Sequence, residues 1–140
     1  MPALPEPEQR HRLAAAPVAR LATLRADGTP RLVPITFALV DGLVCSVVDE
    51  VKAKRTMRLA RLADVARDPR VALVVDHYDQ DWSRLWWVRV DGTAAVRTDG
   101  PERVAAVAAL RAKYPNYEKA ELAGPMLVIS PTRWTGWAAG

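Results

Sequence analysis

Four Asp-Gly pairs punctuate the chain, at 27–28, 41–42, 91–92 and 99–100. The first two stand between runs of apolar residues about as long as a strand. An Asp-Gly pair in that setting is a strong hairpin signal, because glycine accepts the positive φ that a tight turn demands. The runs are VARLATLR (18–25), PRLVPITFALV (30–40) and LVCSVV (43–48), which predict a three-stranded antiparallel meander. The third pair interrupts RLWWVRVDGTAAVR (84–97), and its simplest form there is a β-bulge inside one long strand. The fourth pair runs into Pro101-Glu102, a proline and an acid in a first turn, and predicts a helix from there to about Lys113.

The remaining elements follow the same logic. RVALVVDHY (70–78) is a continuous apolar run and reads as a central strand; MLVIS (126–130) and RWTGW (133–137) read as closing strands. EQRHRLAAA (8–16) predicts a short helix that Pro17 helps to end. Residues 56–67 predict a second helix with Thr56 as N-cap, a buried stripe of Leu59, Leu62, Ala63 and Ala66, and a stop at Asp68-Pro69. In the helix after Pro101 the expected stripe is Val104, Val107 and Ala108, and YPNYEKAELAGP (114–125) reads as a loop. The fold class is α+β, mainly β: a small barrel of six to seven mostly antiparallel strands with two or three short helices filling its gaps. At 140 residues this is one domain spanning 1–140, with 1–7 expected to be a flexible tail.

The second strand has two unlike faces. Val33, Ile35, Phe37 and Leu39 are bulky enough for a core, whereas Leu32, Pro34, Thr36 and Ala38 point the other way. Pro34 removes a ladder donor and favours a sheet edge or a bulge. The small Pro34/Thr36/Ala38 face is either a plain solvent face or a floor for a flat ring.

Charge is concentrated in one place. Residues 51–67 hold Lys52, Lys54, Arg55, Arg58, Arg61 and Arg67 against Asp64. That is a local +5 in a chain of net +4, so the other residues sum to −1. At 100° per residue, Lys54, Arg58 and Arg61 share one helix edge, which reads as a solvated face. Arg55 points among the buried positions at the helix start, and Lys52 precedes it. Lys52, Arg55 and Lys54 can therefore converge where free backbone N–H groups and the helix dipole favour an anion. Duplex nucleic acid is a weaker reading, since such binders spread their charge over a broad face. Single-strand binding through Trp and Arg stays open for a barrel, as does a solvated helix with no ligand.

Trp86 and Trp87 are adjacent on one strand and so face opposite sides. A small barrel has one interior, so one indole must cover a helix, enter a subunit interface or wall a ligand. Trp134 and Trp137 similarly diverge on the last strand. No motif of hydrolytic, nucleotide-binding or metal chemistry is present, and no catalytic or metal-ligating residue is assigned. His77 at a strand end reads as structural. Cys45, the one cysteine, permits no disulfide and reads as buried and inert. With no leader-like apolar segment and no membrane-length run, a cytoplasmic location with no membrane or nucleic-acid partner is expected.

The order VARLATLR, ADGTP, RLVPITFALVDG, LVCSVV, then VKAKR before a helix ending in RDPRVAL, resembles the split β-barrel proteins of the pyridoxamine-phosphate-oxidase-like, flavin- and deazaflavin-binding superfamily. DHYDQDWSRLWWVRVDGTAAV is similar to the actinobacterial branch grouped as F420-dependent, and the likeness spans about residues 8–137. It implies a homodimer with two cofactor sites at the interface. It implies coenzyme F420, or alternatively FMN, with Pro34, Ile35, Thr36, Ser46 and Val47 along the ring and Trp87 lining the site. Lys52, Lys54 and Arg55 would hold the phosphate, and Arg58 or Arg61 the acidic tail of F420. The implied activity is oxidoreduction, a hydride passing between cofactor and a small organic acceptor; a carrier without turnover is the other class. This chain departs from the usual short Lys-x-Arg-Asn run: its basic segment is longer, and Asp64 stands near where Asn is common.

Overall fold

A computed structural model describes residues 3–48 and 55–139, with the backbone alone for 55–59. Helix α1 (Glu6–Ala15) leads into β1 (Ala19–Leu24), β2 (Pro30–Ile35), β3 (Ala38–Val40) and β4 (Leu43–Val47). Helix α2 (Arg55–Arg67) connects to β5 (Arg70–His77) and β6 (Trp86–Arg97), and α3 (Pro101–Lys113) precedes β7 (Met126–Ala138). The seven strands form one antiparallel sheet in the order β2-β1-β5-β6-β7-β4-β3.

The long second run is thus two strands, not one. Residues 30–35 pair with β1 at one edge of the sheet, and 38–40 pair with β4 at the other. Only Thr36 and Phe37 lie between them, a link that reaches no more than about 10 Å. The two edges must therefore meet, and the sheet curls into a barrel that is split at this link. The expected meander is corrected accordingly: β4 pairs with β3 and β7, not with β2. Pro34 sits on the edge strand, where its missing N–H costs no ladder bond. The bulge falls at Asp91/Gly92 as the sequence predicts. A Cβ at Gly92 would stand 2.4 Å from the Ser130 carbonyl oxygen, so only glycine lets β7 approach there.

Side chains divide into two clusters. The barrel interior holds Leu21, Ile35, Phe37, Val44, Leu73, Val75, Val88, Val90, Leu127 and Ile129, joined by Leu13 of α1 and Val65 of α2. The second lies outside the barrel, where Ala106 and Leu110 of α3 pack on Cys45, Val47, Met126 and Val128. Both helix stripes expected from periodicity are corrected in part. Among the described side chains of α2 the buried residues are Arg61, Asp64 and Val65, Leu62 is half-buried, and Ala63 and Ala66 are exposed; Leu59 lies outside the described side chains. In α3 Ala106 and Leu110 are buried and Val107 is half-buried against their cluster, whereas Ala108 is exposed and Val104 is 70% exposed. The segment expected as a tail is docked at residues 3–4: Ala3 bridges to Trp137, and Leu4 N–H donates to the Gly136 carbonyl at 3.0 Å.

Candidate functional site

The split in the barrel gathers several of the residues expected along a ring. Ser46 Oγ donates to the Thr36 carbonyl at 2.7 Å, tying β4 to the β2–β3 link. Pro34 lies two residues before Thr36 on the same edge and is exposed. Ile35 and Val47 are both buried, but in different layers: Ile35 faces the barrel interior and Val47 faces α3. Their side chains belong to the two cores, so what they offer a ligand at this edge is backbone.

The link is also held from outside by residues the sequence reading passed over as helix end and loop. The Tyr117 hydroxyl is 2.7 Å from Thr36 Oγ1. The Tyr114 hydroxyl accepts from Phe37 N–H at 3.1 Å, and its own proton can go to the Pro17 carbonyl at 3.0 Å or the Phe37 carbonyl at 3.1 Å. Lys113 Nζ donates to the Phe37 carbonyl at 2.9 Å and sits 3.8 Å from the centre of the Phe37 ring. Burial pushes the Lys113 ammonium down to about 8 and the Tyr114 phenol up. The signal available beforehand was two tyrosines three apart directly after a helix C-terminus, flanking a Pro-Asn pair.

Lys52 and Lys54 lie outside the described residues, as do the side chains of Arg55 and Arg58. Their surroundings are described on both sides. Val48 N–H donates to the Pro125 carbonyl at 2.8 Å, which fixes the exit of β4. Helix α2 starts at Arg55 and carries no acid in its first turn, so nothing on the helix offsets the positive end of its dipole. An anionic group fits such a terminus, and three bases precede or open it in sequence.

Arg61 and Asp64 are corrections to the reading of α2 as a solvated basic edge. Arg61 is 9% exposed and Asp64 2%. Asp64 Oδ2 accepts from Arg31 Nε and from Thr23 Oγ1, both at 2.7 Å, and Oδ1 accepts from Arg67 at 3.1 Å. Burial alone would raise the Asp64 carboxyl, but the bonds from Arg31 and Thr23 and the charges of Arg31 and Arg67 outweigh it and hold it below its ordinary value. This cluster ties α2 to the β1–β2 hairpin. Arg61, by its own burial, is poorly placed to reach an exposed tail of a ligand.

Trp87 is not brought beside Ser46 within the chain. Ser46 is opposite Leu127 on β7 and Trp87 is opposite Trp137, ten residues further along that strand, a path of about 33 Å. Val88 and Val90 face the barrel interior, so Trp87 faces outward, with the Arg89 guanidinium 5.8 Å from its ring centre. Pro34, Arg20, Val74 and Arg89 lie in one register across this outer face of β2, β1, β5 and β6. Leu32 on the same face is 67% exposed. Trp86 turns the other way and packs against the interior cluster, under the Arg12 guanidinium at 5.1 Å.

Groups able to act as nucleophiles are muted. Cys45 is 1% exposed, and burial with the nearby Glu102 charge pushes its thiol up to about 11. His77 is bound to Asp79 at 2.9 Å. Among the described residues no group of His, Cys, Asp and Glu is arranged to hold a metal ion. Among the described residues no helix is long and apolar enough to cross a membrane.

Known structures share this architecture. A conserved hypothetical protein of Mycobacterium tuberculosis superposes with a TM-score of 0.76 at 20% identity, covering 97% of this chain and 86% of its own. A FAD-binding protein of Mesorhizobium loti gives 0.71 at 24% identity, with 96% and 93% covered. A FAD-binding protein of Mycobacterium smegmatis gives 0.67 at 21% identity, with 97% of each chain covered. At these identities the likeness is one of fold. No curated protein is close enough in sequence to count as a relative. The sequence profile described as pyridoxamine 5'-phosphate oxidase, however, matches residues 5–138, nearly the whole chain. With the split barrel now described, the chain belongs to the pyridoxamine 5'-phosphate oxidase family.

Proposed function

We propose that this protein binds a phosphorylated, flavin-type tricyclic cofactor at the Thr36–Ser46 edge and uses it in oxidoreduction of a small organic substrate. FMN is the ligand best supported, by the family relation and by structural relatives described as FAD-binding. The observation that carries this reading is the 2.7 Å bond from Ser46 Oγ to the Thr36 carbonyl. It sets a small, partly polar edge directly ahead of the basic segment and the start of α2.

The residues fit such a ligand. Pro34 and Thr36 offer a smooth edge for a flat ring, beside the backbone of Ile35 and Val47. Lys52, Lys54 and Arg55 supply positive charge at a helix N-terminus for the phosphate. The cofactor, when bound, supplies the hydride donor or acceptor. The chain's part is to hold it, orient the substrate and exclude water. That division of labour agrees with an inert Cys45 and the lack of any assigned nucleophile.

F420 is the second reading, favoured by the DWSRLWWVRVDG block at 81–92. Its acidic tail would meet Arg58 rather than the buried Arg61. In either case we propose a homodimer, in which the outer face bearing Trp87 and Leu32 meets a second copy. Trp87 then lines the site from across the interface, which accounts for its distance from Ser46.

Titration of the purified protein with FMN and with F420, followed by fluorescence, tests the proposal. One of the two is expected to bind. Lys52→Ala and Arg55→Ala are each expected to weaken it about tenfold, or about 1.4 kcal/mol. Binding of neither ligand would refute the proposal. Binding with no oxidation of reduced cofactor by quinones, nitro compounds or unsaturated lactones would favour a carrier.

A further inference from the structure

We infer that the segment from Arg103 to Pro125 is a brace that positions both sides of the cofactor site, with Tyr117 and Arg103 as its two positioning residues. The inference rests on the reading above that the Thr36–Ser46 edge holds the cofactor ring.

The first arm acts on the β2–β3 link. Thr36 is bonded on both of its polar sides: its carbonyl by Ser46 Oγ and its hydroxyl by the Tyr117 hydroxyl, each at 2.7 Å. The next residue, Phe37, has its N–H bound by Tyr114 and its carbonyl by Lys113. All three outside groups come from residues 113–117, and Tyr114 and Tyr117 steady each other edge to face at 5.5 Å. This is the point where the sheet leaves one edge and rejoins at the other, so it has no regular ladder of its own. Side chains replace the ladder, as backbone groups at such a place require partners.

The second arm acts on the exit of β4. Arg103 reaches from the first turn of α3 to the carbonyls of Leu122 and Gly124, the latter at 2.8 Å. Arg111 takes the Ala120 carbonyl at 3.1 Å. The loop so held packs on Val48: Pro125 accepts its N–H, and a Cβ at Gly124 would lie 2.0 Å from its carbonyl oxygen. Val48 is the last described residue before the basic segment. One helix and the loop after it therefore fix the Thr36 edge and the exit of β4 at Val48 relative to each other. Ring and phosphate of one ligand need that separation to be constant.

Tyr117→Phe removes one hydroxyl and keeps the ring contact with Tyr114. In titrations with FMN and riboflavin, it is expected to weaken both at least fivefold, leaving their affinity ratio at the wild-type value, because Thr36 sits at the ring and not at the phosphate. Thr36→Val is expected to do the same, and the double variant to be no worse than either single one, since both delete the same bond. Arg103→Gln is expected to change the FMN-to-riboflavin ratio, because it frees the approach to the phosphate. If F420 is the ligand that binds, Tyr117→Phe is expected to weaken it by the same factor. Wild-type binding with Tyr117→Phe within twofold of it would overturn the brace and leave the functional proposal standing. A wild type that binds neither FMN nor F420 would overturn both.

Discussion

Arg31 Nε donates to Asp64 Oδ2 at 2.7 Å, joining the edge strand β2 to helix α2 across 33 residues of sequence. Thr23 and Arg67 complete the shell around the same carboxylate. The result is a buried anion with three partners, at a position that the expected stripe of Leu59, Leu62, Ala63 and Ala66 leaves out. With its neighbour Val65, packed into the interior cluster, it turns this face of α2 toward the sheet.

Asp64→Asn should destabilise the fold by about 2–3 kcal/mol. Breaking a buried pair strands its partner, and the cost is reduced here because the Arg31 side chain is 27% exposed. Urea unfolding at neutral pH measures it. The sign in acid is fixed by the depressed carboxyl: the stabilisation is complete above the ordinary value of 3.8 and disappears as pH falls through the lower folded-state value. Wild type and Asp64→Asn should therefore converge as pH falls below the ordinary carboxyl value of 3.8. Curves that stay parallel throughout the acid range would mean that Asp64 is not held as an anion.

Lys113 predicts a slope at the other end of the scale. Burial lowers its ammonium from 10.5 to about 8, although the Phe37 ring and carbonyl oppose the shift. Between those values the unfolded chain holds a proton that the folded chain has released. Stability should consequently rise with pH from about 8 to 10.5 and be flat just below. Thermal unfolding of wild type against Lys113→Met across that window isolates the effect, since the variant lacks the group. A wild type that loses stability relative to Lys113→Met as pH rises would reverse the assignment.

The parts of this fold legible in the sequence are those governed by backbone chemistry. Pro34 marked an edge because it lacks a donor, and Asp91-Gly92 marked a bulge because glycine admits a close neighbour. The positions misread are those decided by polar pairing or by small side chains. Asp64 is buried in α2 through partners 33 and 41 residues away, which no periodic pattern records, and Arg61 is buried on the same helix. In α3, Ala106 is fully buried and Val104 exposed, because the helix lies close against β3 and β4 and close packing selects the smaller residue. Of the candidate site, Thr36 and Ser46 are joined by a hydrogen bond across the split, a contact between residues far enough apart in sequence that no local pattern records it. For Tyr114 and Tyr117 the sequence shows only their spacing after a helix end; their partners lie at the barrel split, itself a consequence of strand order.

Gly124→Ala should cost at least about 2 kcal/mol, since the new methyl would meet the Val48 carbonyl oxygen, a backbone atom that cannot rotate away. The same change at Gly28, whose surroundings are open, should cost less than that and act only through its positive φ of 84°. Denaturant midpoints of the two variants make the comparison. Equal losses would mean that the loop at 118–125 does not press on β4.

The outer sheet face supplies the last prediction. Leu32 is 67% exposed on edge strand β2, and Ala22 and Ala72 follow it in register across β1 and β5. Trp87 and Trp137 stand opposite each other further along β6 and β7. The charges on this face are of both signs, Arg20 with Asp76 at 4.0 Å and Arg89 with Asp91 at 3.6 Å, with Arg133 opposite Asp91, so a second copy can approach without facing a field of one sign. A stable dimer needs about 800 Å² from each partner. The proposed homodimer should give a particle of twice 15.4 kDa by light scattering. Ala72→Arg puts a long cation at the centre of the apolar row, where no acid is in register except Asp91, and should shift the particle toward the single-chain mass. If Trp87 lines the site from the partner, cofactor affinity should fall with the dimer, and it should recover at protein concentrations that restore association. A wild-type particle of single-chain mass with full cofactor binding would show that one chain completes the site and that Trp87 lies outside it.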